Sequence, residues 1–354
     1  MTARLYAASS PGEVRLAVLQ DGVLVAAELH RAGAPDRVDE RHLARVGAVA
    51  TGASGWFVRL SDADAFLPTG EVPRARRPLR EGEAVVVRIA RAAMGAKGLR
   101  ASMKRAGEAP AGLVAPARIA AAPAPLAPLA ATHDAEIVQG EKFPPEIEEQ
   151  FAALAEPEQA LPGGGRLRVY PTPAATLIDV DAGPLPPAEA NRLAAAEAAR
   201  AITARNLSGV ILVDFAALDG AAARRRMMEA LRAALASDPL GAEVTGHSPA
   251  GLIEVVRRKI RPPLHELLGE ANPPFRPSAL TQGLAALRRA LAEALVDPAL
   301  RPALRAHPRI VAALEGDPAA LAAFAVRAGA GLVLRADQAM SCAMWSIEDA
   351  RDGR

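Results

Sequence analysis

Residues 176–183, TLIDVDAG, and 209–218, GVILVDFAAL, are two apolar, β-branched runs that each reach a carboxylate: Asp179 and Asp181 in the first, Asp214 in the second. Between them, Pro186 and Pro187 precede AEANRLAAAEAARAITARN (188–206), a helical run that stops near Ser208-Gly209. Strand, helix, strand is the signature of an α/β unit. In an extended chain residues i and i+2 share a face, so Asp179 and Asp181 point the same way, and a neighbouring parallel strand brings Asp214 beside them.

Working outward, a second helix is predicted at 221–236. Ser248-Pro249 then reads as an N-cap and N1 proline ahead of a helix through AGLIEVVRRKI, ended by Pro262-Pro263. Upstream, 144–155 reads as helix, 162–165 (PGGG) as a turn and 166–183 as consecutive strands. Nearer the N-terminus, EVRLAVLQDGVLVAAEL (13–29) sets two alternating apolar runs on either side of Asp21-Gly22, which predicts a hairpin. From 44 to 103 come short β-type runs, GWFVRL and AFLPTGEV among them, with turn residues every 8–12 positions, a pattern expected of a small OB-like barrel. Residues 106–133 hold five prolines among Ala and Gly and read as a linker or reduced subdomain without lasting helix or central strand. After Pro277, a long amphipathic helix and short helical and strand segments suggest a small α+β unit.

Composition narrows the function classes. The 354 residues are 51% apolar and 23% charged, which describes a globular chain. A single cysteine, Cys342, closes neither an internal disulfide nor a thiolate zinc site, and the six histidines lack ligand spacing. No stretch reaches the ~18 apolar residues of a membrane span, and the N-terminus lacks a signal-peptide layout, so a cytoplasmic protein is expected. Net charge is only +2, but just four of the 42 basic residues are Lys, and Arg's planar fork suits phosphate.

Three carboxylates crowding one strand edge raise at least one pKa unless a cation sits among them, and hard oxygen donors suit Mg²⁺ or Mn²⁺. Such an ion can activate water and offset charge developing on a phosphodiester. The same aspartates also suit helix N-caps or turns after strands. Phe57 and Phe66, followed by Lys97 in a Gly-flanked turn, suit base stacking with a backbone contact, or simply a barrel core. Arg224, Arg225 and Arg226 at a helix start oppose the macrodipole, for which phosphate contact would compensate; a solvated face is the plainer account. Arg257, Arg258, Lys259 and Arg261 read as ordinary cations at a helix C-terminus.

Taken in order, the hairpin, GWFV…AFLP, GAKGLRASM, LPGGGRLRVYPTPAATLIDVDAG, ANRLAAAEAARAITARNLSGVILVDF, HSPAGLIEVVRRKIRPPL and LRADQAMSCAMWSIED resemble the ribonuclease E/G family almost end to end. The resemblance implies an α+β multidomain chain. Its expected parts are an N-terminal hairpin from a reduced RNase-H-like portion (1–34), an OB-type RNA-binding barrel (35–105), a Pro/Ala-rich remnant of the 5′-sensor (106–143), a deoxyribonuclease-I-like catalytic domain (144–270) and a small C-terminal domain (271–354). It further implies an endoribonuclease that cleaves single-stranded RNA with Mg²⁺ (Mn²⁺ as substitute) held by Asp179 and Asp214. Asp181 stands where the family commonly has Asn, and Phe57, Phe66 and Lys97 fall where its barrel contacts RNA. The arginine-threonine pocket for a 5′-monophosphate has no counterpart, and 266–277, ELLGEANPPFRP, lacks the family's paired-cysteine zinc link, so any oligomer forms without it. The competing expectation is an RNA-binding protein of the same family with impaired catalysis; a purely structural scaffold ranks last.

Overall fold

A computed structural model describes residues 3–10, 13–31, 33–50, 52, 54–268, 278–341 and 344–352. Two compact units divide it, Met1–Ala271 and Asn272–Arg354. Cys342 and the 269–277 part of the cysteine-free stretch lie outside the described residues.

Strands β1 (Ala3–Ser10), β2 (Glu13–Gln20) and β3 (Val23–Arg31) open the first unit as an antiparallel run. Asp21 and Gly22 make the β2–β3 turn, both at positive φ, as the sequence predicts. The barrel follows: β4 (Arg41–Val49), β5 (Gly55–Arg59), β6 (Asp64–Pro68), β7 (Ala84–Arg91) and β8 (Leu99–Ser102) pair in the cycle β4-β5-β6-β8-β7 and back to β4, a closed five-strand barrel consistent with an OB-type domain. Trp56, Val58, Leu67, Val87 and Ile89 fill its core.

The Pro/Ala-rich region is more structured than its composition predicts. It contributes β9 (Ala117–Ala120), which extends the barrel sheet beside β4, then α1 (Leu126–His133) and β10 (Ala135–Gly140), which pairs in parallel with β1. Proline in the first turn of a helix removes no intrahelical bond, so Pro128 is tolerated in α1. The N-terminal hairpin is thus part of a four-stranded sheet ordered β10-β1-β2-β3. Helix α2 (Pro145–Ala152) packs Phe151 and Ile147 against β2 and β3 residues such as Leu19 and Leu24.

The second sheet holds the acidic strands. β11 (Glu158–Ala160), β12 (Arg166–Pro171), β13 (Thr176–Asp181), α3 (Pro187–Ala204), β14 (Gly209–Asp214), α4 (Gly220–Leu235), β15 (Glu243–His247) and β16 (Ile253–Arg257) give six strands in the order β11-β12-β13-β14-β16-β15, with β13 and β14 parallel. Helices α3 and α4 cover one face, burying Leu167, Val169, Ile178, Val180, Ile211 and Val213 with Ile202 and Leu231. Alternation then sends the intervening residues to the other face, where Tyr170 and Val210 are exposed.

Residues 250–260 are not helical. β16 runs antiparallel to β14 and β15, and Ser248 closes the hairpin, its backbone N–H donating to the Leu252 carbonyl at 2.8 Å while its Oγ accepts from the Leu252 N–H at 3.2 Å. Alternate burial of Ile253, Val255 and Arg257 has a period of two, and the β-branched Ile253 and Val255 complete the sheet core. The basic run 257–261 therefore ends a strand, and its first member, Arg257, is buried. A short helix, α5 (Leu264–Leu268), closes the unit.

In the second unit, α6 (Ala279–Val296), α7 (Pro308–Glu315) and α8 (Pro318–Ala328) pack with a three-stranded sheet of β17 (Pro302–Ala306), β18 (Val333–Ala336) and β19 (Trp345–Asp349), β17 being central. No helix among the described residues is long and apolar enough to cross a membrane.

Candidate active site

Parallel pairing of β13 with β14 sets the Cα of Asp179 opposite that of Asp214. Both side chains leave the sheet on the face away from α3 and α4, because Ile178, Val180 and Val213 occupy the helix-covered face. They stand at the C-terminal ends of parallel strands, where α/β sheets bind their ligands.

Asp214 has no hydrogen-bond or ion-pair partner among the described residues; burial first, then the negative charge of Asp179, hold its carboxyl above the ordinary carboxylate range. Two hard oxygen donors side by side, one of them with no cation beside it, fit Mg²⁺ or Mn²⁺, which one or two carboxylates hold while water and phosphate complete the shell. The donor set is a pair and not the expected convergence of three. Asp181 lies one step further along β13, its Oδ1 accepting from the Gly183 N–H at 2.9 Å, and among the described residues no group of three His, Cys, Asp or Glu is placed to hold a metal. Asp181 is thus the turn residue of the three, and none of them is a helix N-cap.

The loop after Asp181 is pressed onto the 162–165 turn. Gly183 has φ +55°, and a Cβ there would lie 2.5 Å from the Gly164 carbonyl oxygen, so glycine is required.

Asn191, which sequence reasoning passes over, fixes the loop after Asp214. Buried in α3, it donates from Nδ2 to the Ala216 carbonyl at 2.8 Å and accepts the Ala216 N–H on Oδ1 at 3.0 Å. A buried amide just inside a helix, among alanines, was the available signal. Asn191→Ala leaves both Ala216 backbone groups without their Asn191 partners, an expected loss of about 1–3 kcal/mol read by thermal unfolding.

The remaining predicted residues form separate groups. Phe57, 49% exposed, and Phe66 are cross-strand neighbours on β5 and β6 with ring centroids 5.9 Å apart, and Arg100 is paired beside Phe66. Lys97 sits in the 94–97 turn and lines a cavity of about 280 Å³ with Arg91, Thr176, Ser208 and Lys259, at the strand-start edge of the sheet, opposite the carboxylate end. Arg224 and Arg225 lie on α4, on the other side of the sheet from the three aspartates. Arg224 is half-buried on the helix face that carries Leu231, whereas Arg225 is exposed.

One cation was not foreseen. Arg168 on β12 is the Cα partner of Asp179, with Nη1 3.5 Å from Asp179 Oδ2 and Nη2 3.5 Å from Asp181 Oδ2. The hairpin loop 172–175 sets this register, so the pairing could have been read from the sequence.

Comparison with known proteins bears on this sheet. The sequence model of the Ribonuclease E/G family matches residues 136–260, from β10 to just past β16, and so contains all three aspartates. Ribonuclease E of Synechocystis sp. is 31% identical over 125 residues, 33% of this chain and 18% of that protein. Ribonuclease G of Salmonella typhimurium is 29% identical over 131 residues, 35% of this chain and 27% of that protein. A chloroplastic ribonuclease E/G-like protein of Arabidopsis thaliana is 30% identical over 135 residues, 14% of its length. The chain therefore spans well under half the length of the curated relatives it matches. The family match is narrower than the end-to-end resemblance read from the motifs, since it does not reach the barrel or the second unit. Residues 136–260, the segment that carries the carboxylate pair, are thus the part of the chain that is similar to the ribonuclease E/G family.

Proposed function

We propose that this chain is an endoribonuclease that hydrolyses single-stranded RNA in a cytoplasmic setting. The observation that carries the reading is the Asp179–Asp214 pair on parallel strands within the family segment, with unneutralised charge at Asp214.

Asp179 and Asp214 would hold the dication, Mg²⁺ or Mn²⁺, which would supply Lewis-acid charge for phosphodiester hydrolysis. The chain's own residues do the rest. Asn191 holds the loop behind Asp214, and Gly183 lets the Asp181 loop sit against the glycine turn. Asp181, its carboxylate partly engaged by the Gly183 N–H, orients a ligand or water at the edge of the site. Phe57 and Phe66 offer ring faces to unpaired bases, which makes unstacked RNA the substrate, while Lys97 provides a backbone contact. Arg224 and Arg225, on the helical layer, serve only an RNA strand that wraps around the sheet.

The test is cleavage of a 5′-labelled, AU-rich single-stranded oligoribonucleotide by the purified chain. The expected result is Mg²⁺-dependent internal cleavage that leaves a 5′-phosphate on the downstream fragment, is abolished by EDTA and is slow on duplex. RNA binding without cleavage in either Mg²⁺ or Mn²⁺ would contradict it.

A second reading, an RNA-binding protein with impaired catalysis, is favoured by one observation: the Arg168 guanidinium already faces Asp179 and Asp181. It expects salt-sensitive RNA affinity and no metal-dependent turnover.

A further inference from the structure

Strand pairing puts four charged residues in one row across the open face of the sheet: Glu158 on β11, Arg168 on β12, Asp179 on β13 and Asp214 on β14, each the Cα partner of the next. The Arg168 guanidinium presents a different nitrogen to each neighbouring acid. Its Nε donates to Glu158 Oε2 at 2.8 Å, whereas Nη1 and Nη2 face Asp179 and Asp181 at 3.5 Å. The first distance is a formed hydrogen bond; the other two are ion-pair separations at which hydrogen bonding is weak. Glu158 also takes Arg166 at 2.9 Å. Glu158 is thus the tether that holds the arginine over, but not fully onto, the aspartates. Packing does not require an arginine here, because Leu167 and Val169 on either side supply the core contacts of β12.

We propose that Arg168 is a resident counter-cation that competes with the dication for Asp179, so that metal occupancy of the site is set by how firmly Glu158 holds the guanidinium back. This rests on the reading of Asp179 and Asp214 as a dication site. A guanidinium beside Asp179 lowers the charge that carboxylate offers and repels an incoming dication, and both effects weaken metal binding. Asp214, at the far end of the row, has no such partner and keeps its charge for the metal. The device makes Mg²⁺ occupancy low in the free protein. A phosphate that drew Arg168 away from Asp179 would raise it, which couples metal uptake to the presence of RNA.

The experiment is Mn²⁺ titration followed by electron paramagnetic resonance of the free ion, which needs no turnover, on the full chain and on R168M, R168K, E158Q and D214N, each checked for its fold by circular dichroism. R168M is expected to bind Mn²⁺ about tenfold more tightly than wild type, because one unit charge a few ångströms away is removed in a partly screened setting. R168K, which keeps the charge, is expected to stay near wild type, and E158Q, which releases the tether, to bind several-fold more weakly. If wild type binds Mn²⁺, D214N does not, and R168M binds no more tightly than wild type, the proposal falls while the dication reading stands. If neither wild type nor R168M binds Mn²⁺, both fall.

Discussion

Asp179→Asn and Asp214→Asn are each expected to reduce Mg²⁺-dependent RNA cleavage by about a thousandfold or more, in line with the cost of removing groups that stabilise developing charge. Neither change should harm the fold. Both side chains stand on the open face, outside the helix-covered core, and neutralising either member removes the repulsion between the two carboxylates. Asp181→Asn is expected to cost at most about tenfold, since asparagine keeps the acceptor for the Gly183 N–H. Initial rates at saturating Mg²⁺ with parallel thermal unfolding separate the cases; equal losses at all three positions would contradict the assignment of a carboxylate pair.

Arg257→Met should destabilise the Met1–Ala271 unit by about 3–5 kcal/mol, the cost of leaving a buried carboxylate alone. Arg257 and Asp238 form a bidentate pair at 2.8 and 3.0 Å with side chains 3% and 0% exposed, and Arg257 also donates to Asn206 Oδ1 and the Leu207 carbonyl. Burial alone would raise the Asp238 carboxyl, but the hydrogen bonds and charge of Arg257, with the Ala242 and Leu240 N–H groups, outweigh it and hold it below the ordinary carboxylate range. Because the folded value is depressed, this stability is fully present above the unfolded carboxylate pKa and is lost as pH falls through the folded one. Denaturant melts at pH 7 and at falling pH check both points: the variant should lose stability at neutral pH, and its deficit relative to wild type should shrink as acid protonates Asp238.

The strand–helix–strand unit was legible because its signals agree. Apolar β-branched runs, a proline-started helix and Asp at the strand ends all indicate one unit, and β13, α3, β14 and α4 follow it closely. Asp21-Gly22 and the evenly spaced turns of the barrel were legible for the same local reasons. Failures came where a local signal had two meanings. Ser248-Pro249 satisfies the rules for a helix start, yet Ser248 closes a hairpin, and buried Arg257 hides the inward row of β16 from a hydrophobicity pattern. Prolines obscured α1 and β10, since a proline in a first helical turn costs nothing and β10 depends on a partner more than 120 residues away in sequence. The candidate site divides in the same way. The Asp179–Asp214 pair follows from strand geometry, and Arg168 follows too once the 172–175 loop is used to fix the register of β12 on β13. The layer that holds Arg224 and Arg225 depends on which sheet face the helices cover, and that tertiary choice is not written in their own spacing.

The most direct test of the central claim is a crystal of the full chain grown with Mn²⁺ and measured for anomalous scattering. The account predicts one peak within metal–oxygen bonding distance of a carboxylate oxygen from each of Asp179 and Asp214, with Arg168 moved off Asp179. A peak elsewhere, or none beside this pair while Arg168 remains on the aspartates, would contradict it.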